Sequence, residues 1–245
     1  MSDPVVIFNV PLDGRSFSGF DACRKSFQHY APERSLLFIE QVQDINSSLL
    51  QDFLAVYKPQ HSQTNVAELF NFARWFYLLE LMRQRGLPSV WHFDSDILLV
   101  GSLDDRLQGY SGGGGQLHLS ITSIEQICRY LILLYTADAR LRSEYITRWS
   151  GWDVHTDMSV LQSGRFQVEL PESFDGNLCI TEGWASRDGH KRLWLVDGRV
   201  CAVRNDPTRI VYMTTLHCWG PFKTRMEGIW GQITGQPGYF SELDL

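Results

Sequence analysis

A chain of 245 residues that is 44% hydrophobic and 20% charged is long enough to bury a real core, yet no apolar run approaches the roughly 20 residues a membrane-spanning helix needs. Its formal net charge of −6 sets up no field for nucleic acid, and no Lys/Arg run forms a basic patch, so nucleic acid is excluded as a partner. The five cysteines are odd in number, scattered and never in a CxxC pair, so they read as reduced packing residues and not as a disulfide framework or zinc site.

The opening "MSDPVVIFNV" has no basic segment followed by a leader-like apolar one, which predicts a cytoplasmic protein. Within it "PVVIFNV" is a β-branched and aromatic run closed by "PLDG", a buried strand and a turn. "FDACRKSFQHY" places Phe20, Cys23, Phe27 and Tyr30 at helical spacing, and Pro32 ends the helix. "SLLFIE" predicts a second strand and "INSSLLQDFLAVY" a second helix. "ELFNFARWFYLLELMRQRG" is apolar around most of its circumference, as a central buried helix ending at Gly86 would be. "SVWHFD" is a third strand. Strands alternating with helices predict an α/β chain with a mostly parallel sheet covered on both faces.

Beyond the glycine run Gly112 to Gly115, "LHLSI" predicts a strand and "IEQICRYLILLY" a helix. The run itself lacks the Lys-Ser/Thr of a phosphate-binding loop and is not GxGxxG. The later strands have antiparallel character. "RLWLVDGRVCAV" is two apolar runs joined by Asp197 and Gly198, a type I′ hairpin signal. "RIVYMTTLH" predicts one last strand ending at His217. With no Pro-, Gly- or Ser-rich linker to divide the chain, residues 1–245 are expected to form one domain whose second half extends the first sheet.

The chemistry concentrates in "VWHFDSDILLVGSL", where Asp94 and Asp96 stand at the end of a strand. In open α/β sheets ligands bind beyond the carboxyl ends of the strands. Carboxylates at i and i+2 of an extended segment point the same way and repel unless a cation lies near them. Oxygen ligands suit Mg²⁺ or Mn²⁺, which complete their shells with phosphate oxygens. The alternative is a loop in which Asp94 caps a turn and Asp96 is solvated, but apolar runs on both sides of the triplet set these charges inside the fold. Arg74, inside "LFNFARWFYLL", needs a carboxylate or phosphate partner, and Glu68 or Glu80 would make it a structural ion pair. "TTLHCWGPFKTRM" ends a strand with His217 and then supplies Gly220 and Lys223: an imidazole for a metal, and a backbone with an ammonium for phosphate. In "DVHTDMSVLQSG", Thr156 or Asp157 can cap a short helix.

Four segments, "NFARWFYLLELM", "VWHFDSDILLVGSL", "HTDMSVLQ" and "TTLHCWGPFKTRM", occur in order across most of the chain. Together they resemble the glycosyltransferases of the GT-A fold that use nucleotide-sugar donors and a DxD motif, above all bacterial and viral polysaccharide-type members related to glycogenin-like enzymes. The resemblance implies a Rossmann-like mixed sheet flanked by helices, with a nucleotide-binding half over 1–104 and a sugar and acceptor half over 105–245. It implies that Asp94, Asp96 and His217 hold Mn²⁺ or Mg²⁺ against the donor diphosphate. Arg74 and Ser95 would face the nucleotide or its phosphates, Phe8 and Asn9 the base and ribose, and Gly220 and Lys223 the diphosphate. Asp157 would be the acidic residue beside the reacting sugar: a general base in an inverting enzyme, or a stabiliser or nucleophile in a retaining one. The substrates implied are a UDP- or GDP-hexose and a glycan or lipid-linked saccharide acceptor.

The sequence departs from the glycogenin-like pattern at Lys223, which is followed by Thr224 and Arg225 instead of Pro-Trp, and at Pro221 and Trp219. A sugar-nucleotide nucleotidyltransferase would carry a glycine- and lysine-rich signature near the first strand, where this chain reads "NVPLDGRSF". A glycoside hydrolase needs two carboxylates set apart across a cleft. A degenerate sugar-binding member of the fold would not need Asp94, Asp96, His217 and Lys223 intact.

Overall fold

Val5, Val6, Ile7 and Phe8 form β1 (Val5–Phe8), buried along its whole length, as expected of a strand covered on both faces. The computed structural model describes residues 2–11, 17–41, 47–59, 65–103, 109–110, 116–150, 177–180, 193–196, 198–203, 210–218, 220–235 and 241–242. β1 lies between β2 (Leu36–Ile39) and β3 (Ser89–Asp94), parallel to both. Two further strands, β5 (Gly109–Tyr110) and β6 (Gln116–Ser120), complete a mixed five-stranded sheet of order β2-β1-β3-β6-β5, with β6 antiparallel to β3.

Four of the helices arise where local spacing predicts them, and two more, over 139–150 and 226–235, lie where no helix was expected. α1 (Phe20–Tyr30) buries Phe20, Cys23 and Phe27 and stops before Pro32, which disfavours helical backbone in the residue preceding it. α2 (Ser48–Val56) starts at Ser47, whose hydroxyl accepts the Leu50 N–H at 3.4 Å. α3 (Asn65–Arg85) is followed by Gly86 at φ +63°, and the Leu87 N–H returns to the Met82 carbonyl at 2.9 Å. α4 (Ile121–Thr136) is capped by Ser120, and α5 (Ala139–Ser150) follows it. No helix among the described residues is long and apolar enough to cross a membrane.

Alternation along the strands divides the core in two. Val5, Ile7, Trp91 and Phe93 pack on α1, while Val6, Phe8 and Val90 pack on α2, α3 and α4. His92 and Asp94 share the Val90 face of β3 by the same alternation, which turns Asp94 toward α3. Cys23, Cys128, Cys201 and Cys218 are buried free thiols, and burial pushes the Cys23 and Cys128 thiols upward in pKa, in keeping with packing roles.

Only β5 and β6 of the second half extend this sheet; the strands after them do not. β4 (Ile97–Leu99), β7 (Asn177–Ile180) and β11 (Thr215–Cys218) form a three-stranded sheet, with β11 antiparallel to β4 and parallel to β7. β8 (Leu193–Val196), β9 (Arg199–Val203), β10 (Ile210–Tyr212) and β12 (Ser241–Glu242) form an antiparallel four-stranded one. The β8–β9 hairpin pairs Val196 with Arg199 across a two-residue connection and sets Gly198 at φ +73°.

The predicted single strand "RIVYMTTLH" is split between these two sheets. At the break the Met213 N–H bonds the Val200 carbonyl and the Val100 N–H bonds the Thr214 carbonyl, each at 2.8 Å, so the chain changes partners between residues 213 and 214. Both pieces are β-branched and apolar, so alternation alone does not mark the crossing.

A 3-10 turn over Gly220–Arg225 leads from β11 into α6 (Met226–Gly235), which packs on α1.

Candidate metal centre

Asp94 closes β3, Ser95 and Asp96 form a turn, and Ile97 opens β4 in a different sheet. The triplet is therefore the joint between two sheets. The expectation of an extended i, i+2 pair is corrected: each carboxylate leaves the turn in its own environment. On β4 the pairing of Ile97 with His217 brings the imidazole of β11 to the joint, and the Cys218 N–H bonds the Asp96 carbonyl at 2.8 Å. Asp94, Asp96 and His217 each present one ligand atom, and these atoms all lie within 4.8 Å of one another.

The two carboxylates have different cations. Arg74 on α3 donates from Nη1 to Asp94 Oδ1 at 2.5 Å, which supplies the carboxylate partner its apolar helix demanded. Asp96, whose side chain is only 9% exposed, meets Lys223 Nζ at 2.6 Å through Oδ2. His217 Nε2 lies 3.2 Å from Asp96 Oδ1, within ion-pair distance, yet Oδ1 has no hydrogen-bond partner among the described residues. Burial pushes the Asp96 carboxyl up, and the proximity of His217 and the Lys223 ammonium outweigh burial and bring it down to about 2. The buried carboxylate is thus ionised throughout the neutral range.

A hard or borderline divalent ion fits this donor set. Two carboxylates and an imidazole are ligands that Mn²⁺ accepts, and the buried Asp96 Oδ1 makes no hydrogen bond among the described residues that an ion would have to replace.

Phe8 and Asn9 stand at the carboxyl end of β1. Phe8 is in register with Asp94 across the sheet and meets the rings of His92 and Phe70 edge-on at 5.7 and 6.3 Å. Asn9 is buried, with its N–H bonded to the Ile39 carbonyl at 2.8 Å. Ser95 is half-buried in the turn, and Gly220 begins the 3-10 segment that carries Lys223. Asp157 and the rest of "HTDMSVLQ" lie outside the described residues.

The solved structure of mouse xyloside xylosyltransferase 1 superposes with a TM-score of 0.50 at 9% identity, covering 88% of this chain and 97% of that one. The chain has the GT-A glycosyltransferase fold. The GlyE glycosyltransferase of Streptococcus pneumoniae TIGR4 matches at a TM-score of 0.48 and 17% identity, covering 95% of this chain and 60% of that one. A glycosyltransferase involved in glycosylation of the major capsid of PBCV-1 matches at 0.45 and 7%, covering 92% and 98%. Neither a protein-family model nor a curated protein sequence matches the chain.

Within this GT-A fold the structure adds Gly19, which the sequence reading passed over. A Cβ built on Gly19 would lie 2.7 Å from Phe17 Cζ, 2.8 Å from Met226 Sδ and 2.9 Å from the Lys223 carbonyl oxygen. Two of those atoms end flexible side chains, but the third is backbone, so the absence of a side chain at 19 sets how deeply the Lys223 segment seats. The only local signal was a glycine just before a helix start, which reads as an ordinary cap.

Proposed function

We propose that the chain is a metal-dependent glycosyltransferase that moves a hexose from a UDP- or GDP-linked donor to a hydroxyl of a glycan or lipid-linked saccharide. The observation that carries this reading is the convergence of Asp94 at the end of β3, Asp96 in the turn after it and His217 on β11, in a GT-A fold, on one space within 4.8 Å. Asp94, Asp96 and His217 would hold Mn²⁺ or Mg²⁺, and the bound ion would supply Lewis-acid stabilisation of the departing diphosphate.

The remaining roles belong to the chain itself. Lys223 brings an ammonium to the same space, where it would neutralise charge developing on the leaving phosphate. Arg74 fixes the orientation of Asp94. Phe8 and Asn9, beside Asp94 across the sheet, would form the wall against base and ribose, with Ser95 and Gly220 offering backbone near the diphosphate. Residues 1–104 would serve the donor and residues 105–245 the sugar and acceptor, with His217 and Lys223 returning to the donor side. Asp157 is assigned to the reacting sugar on the resemblance of "HTDMSVLQ".

Calorimetric titration of UDP and GDP, each with Mn²⁺ or with EDTA, tests the reading. Binding of one nucleotide that requires the metal, and that falls by about tenfold or more in Asp96→Asn and His217→Ala, is expected. Failure of both nucleotides to bind under either condition would overturn it.

A further inference from the structure

The ion pair between Lys223 and Asp96 joins a carboxylate with a 9% exposed side chain to an ammonium with a 41% exposed one, carried on a different element. We propose that Lys223 is a resident counter-ion of the metal centre, which a divalent cation must displace from Asp96, so that the centre discriminates against a bare cation and takes the cation together with a diphosphate. This rests on the reading of Asp94, Asp96 and His217 as metal ligands.

Charge balance carries the argument. Among the described residues two carboxylates, Asp94 and Asp96, meet two cations, Arg74 and Lys223, at 2.5 and 2.6 Å. The cluster is thus already compensated. A bare divalent ion would bring two uncompensated positive charges into a largely buried site, where like charges a few ångströms apart repel far more than in water. An ion that arrives with a doubly charged diphosphate brings no net charge, and its phosphate oxygens offer the displaced ammonium a new partner.

The two cations differ in their capacity to yield. Arg74 belongs to a helix packed in the core, and its guanidinium carbon lies 5.3 Å from the centroid of the Trp75 ring. Lys223 is a single charge on a flexible four-carbon stem. Its carbonyl lies close against Gly19, while its Nζ, 5.9 Å from the Phe17 ring centroid, keeps an aromatic face nearby when it leaves Asp96. The anchor is fixed and the charged end can move.

The test is calorimetric titration of Mn²⁺ alone, and then of Mn²⁺ with inorganic pyrophosphate, into the full chain. The proteins compared are the natural one, Lys223→Met, Lys223→Arg and Asp96→Asn. Lys223→Met is expected to bind bare Mn²⁺ about tenfold tighter than the natural protein. Lys223→Arg, which keeps the charge, is expected to bind it no tighter. Pyrophosphate should improve Mn²⁺ binding more in the natural protein than in Lys223→Met. Bare-ion affinity unchanged in Lys223→Met, with affinity lowered in Asp96→Asn, would overturn the counter-ion role while leaving the metal centre standing. Mn²⁺ binding insensitive to Asp96→Asn would overturn the metal centre and this proposal together.

Discussion

Arg74 Nη1 donates to Asp94 Oδ1 across 2.5 Å, tying the middle of α3 to the last residue of β3. The side chains are 12% and 21% exposed, so the pair is largely desolvated but still reaches water. Arg74→Met would leave the Asp94 carboxylate without this cation and close to Asp96. The expected loss is about 2 kcal/mol, below that of a fully buried pair because of the remaining exposure. Urea denaturation should show this loss without metal and a smaller one with Mn²⁺ present; equal losses in both conditions would separate Arg74 from the metal centre.

Gly19 and Gly228 should respond in opposite directions to the same substitution. At Gly19 the backbone has φ −80°, which any residue adopts, so the obstacle to alanine is the contact with the Lys223 carbonyl and its neighbours. Gly19→Ala is expected to cost about 1–3 kcal/mol by overpacking and to weaken Mn²⁺-dependent nucleotide binding as the Lys223 segment is pushed outward. A Cβ at Gly228, on the exposed side of α6, meets nothing within 4 Å. Gly228→Ala should stabilise by about 0.5–1 kcal/mol with nucleotide binding unchanged. Thermal unfolding and calorimetry of the two variants read both effects.

His92 sets an acid limit on stability. Its ring is buried against Phe8 and Trp75, with Nδ1 3.1 Å from the Val6 carbonyl oxygen. Burial first, and then the Arg74 charge, push its pKa from 6.5 down to about 4. In the unfolded chain the imidazole takes its proton below about pH 6.5, whereas in the fold it stays neutral until about pH 4. Between these values the unfolded state binds more protons, so stability falls as pH falls through that window. Below it the loss levels off at about 3 kcal/mol. Denaturant unfolding from pH 7 to pH 4 should show that slope in the natural protein and a flatter one in His92→Gln.

Ser26 holds α1 to β4. Its buried hydroxyl donates to the Cys23 carbonyl at 2.7 Å and accepts the Leu99 N–H at 3.0 Å. Ser26→Ala leaves a buried N–H without that acceptor, at an expected cost of about 1–3 kcal/mol. Amide exchange at Leu99 should accelerate in this variant more than exchange in β1, and an equal acceleration in both would make the effect global.

The elements of the first half were readable because each is specified by its neighbours in sequence. Phe20, Cys23 and Phe27 define the buried stripe of α1, Gly86 ends α3, and the unbroken apolar run of β1 requires cover on both faces. The need of Asp94, Asp96 and Arg74 for partners was readable for a related reason: they are charges set in apolar surroundings, where only partners make them tolerable.

Which partners they find was decided by pairings between residues far apart in the chain. Arg74 could meet Glu68, Glu80 or a phosphate by sequence, and the packing of α3 on the Val90 face of β3 presents it to Asp94. His217 reaches Asp96 because β11 pairs with β4, and β4 exists as a strand of another sheet because the chain turns at Ser95 and Asp96. Nothing local marks that turn as a change of sheet, nor the exchange of partners at Met213 and Thr214, since strand-forming residues continue on either side. The ionic pairing of Lys223 with Asp96 depends on that crossing, which brings the segment after β11 to the joint. Local sequence determines which elements form and which charges need compensation; the long-range hydrogen bonds of β4 and β11 decide which groups supply it, because strand pairing is specified by burial of the whole assembly and not by either strand alone.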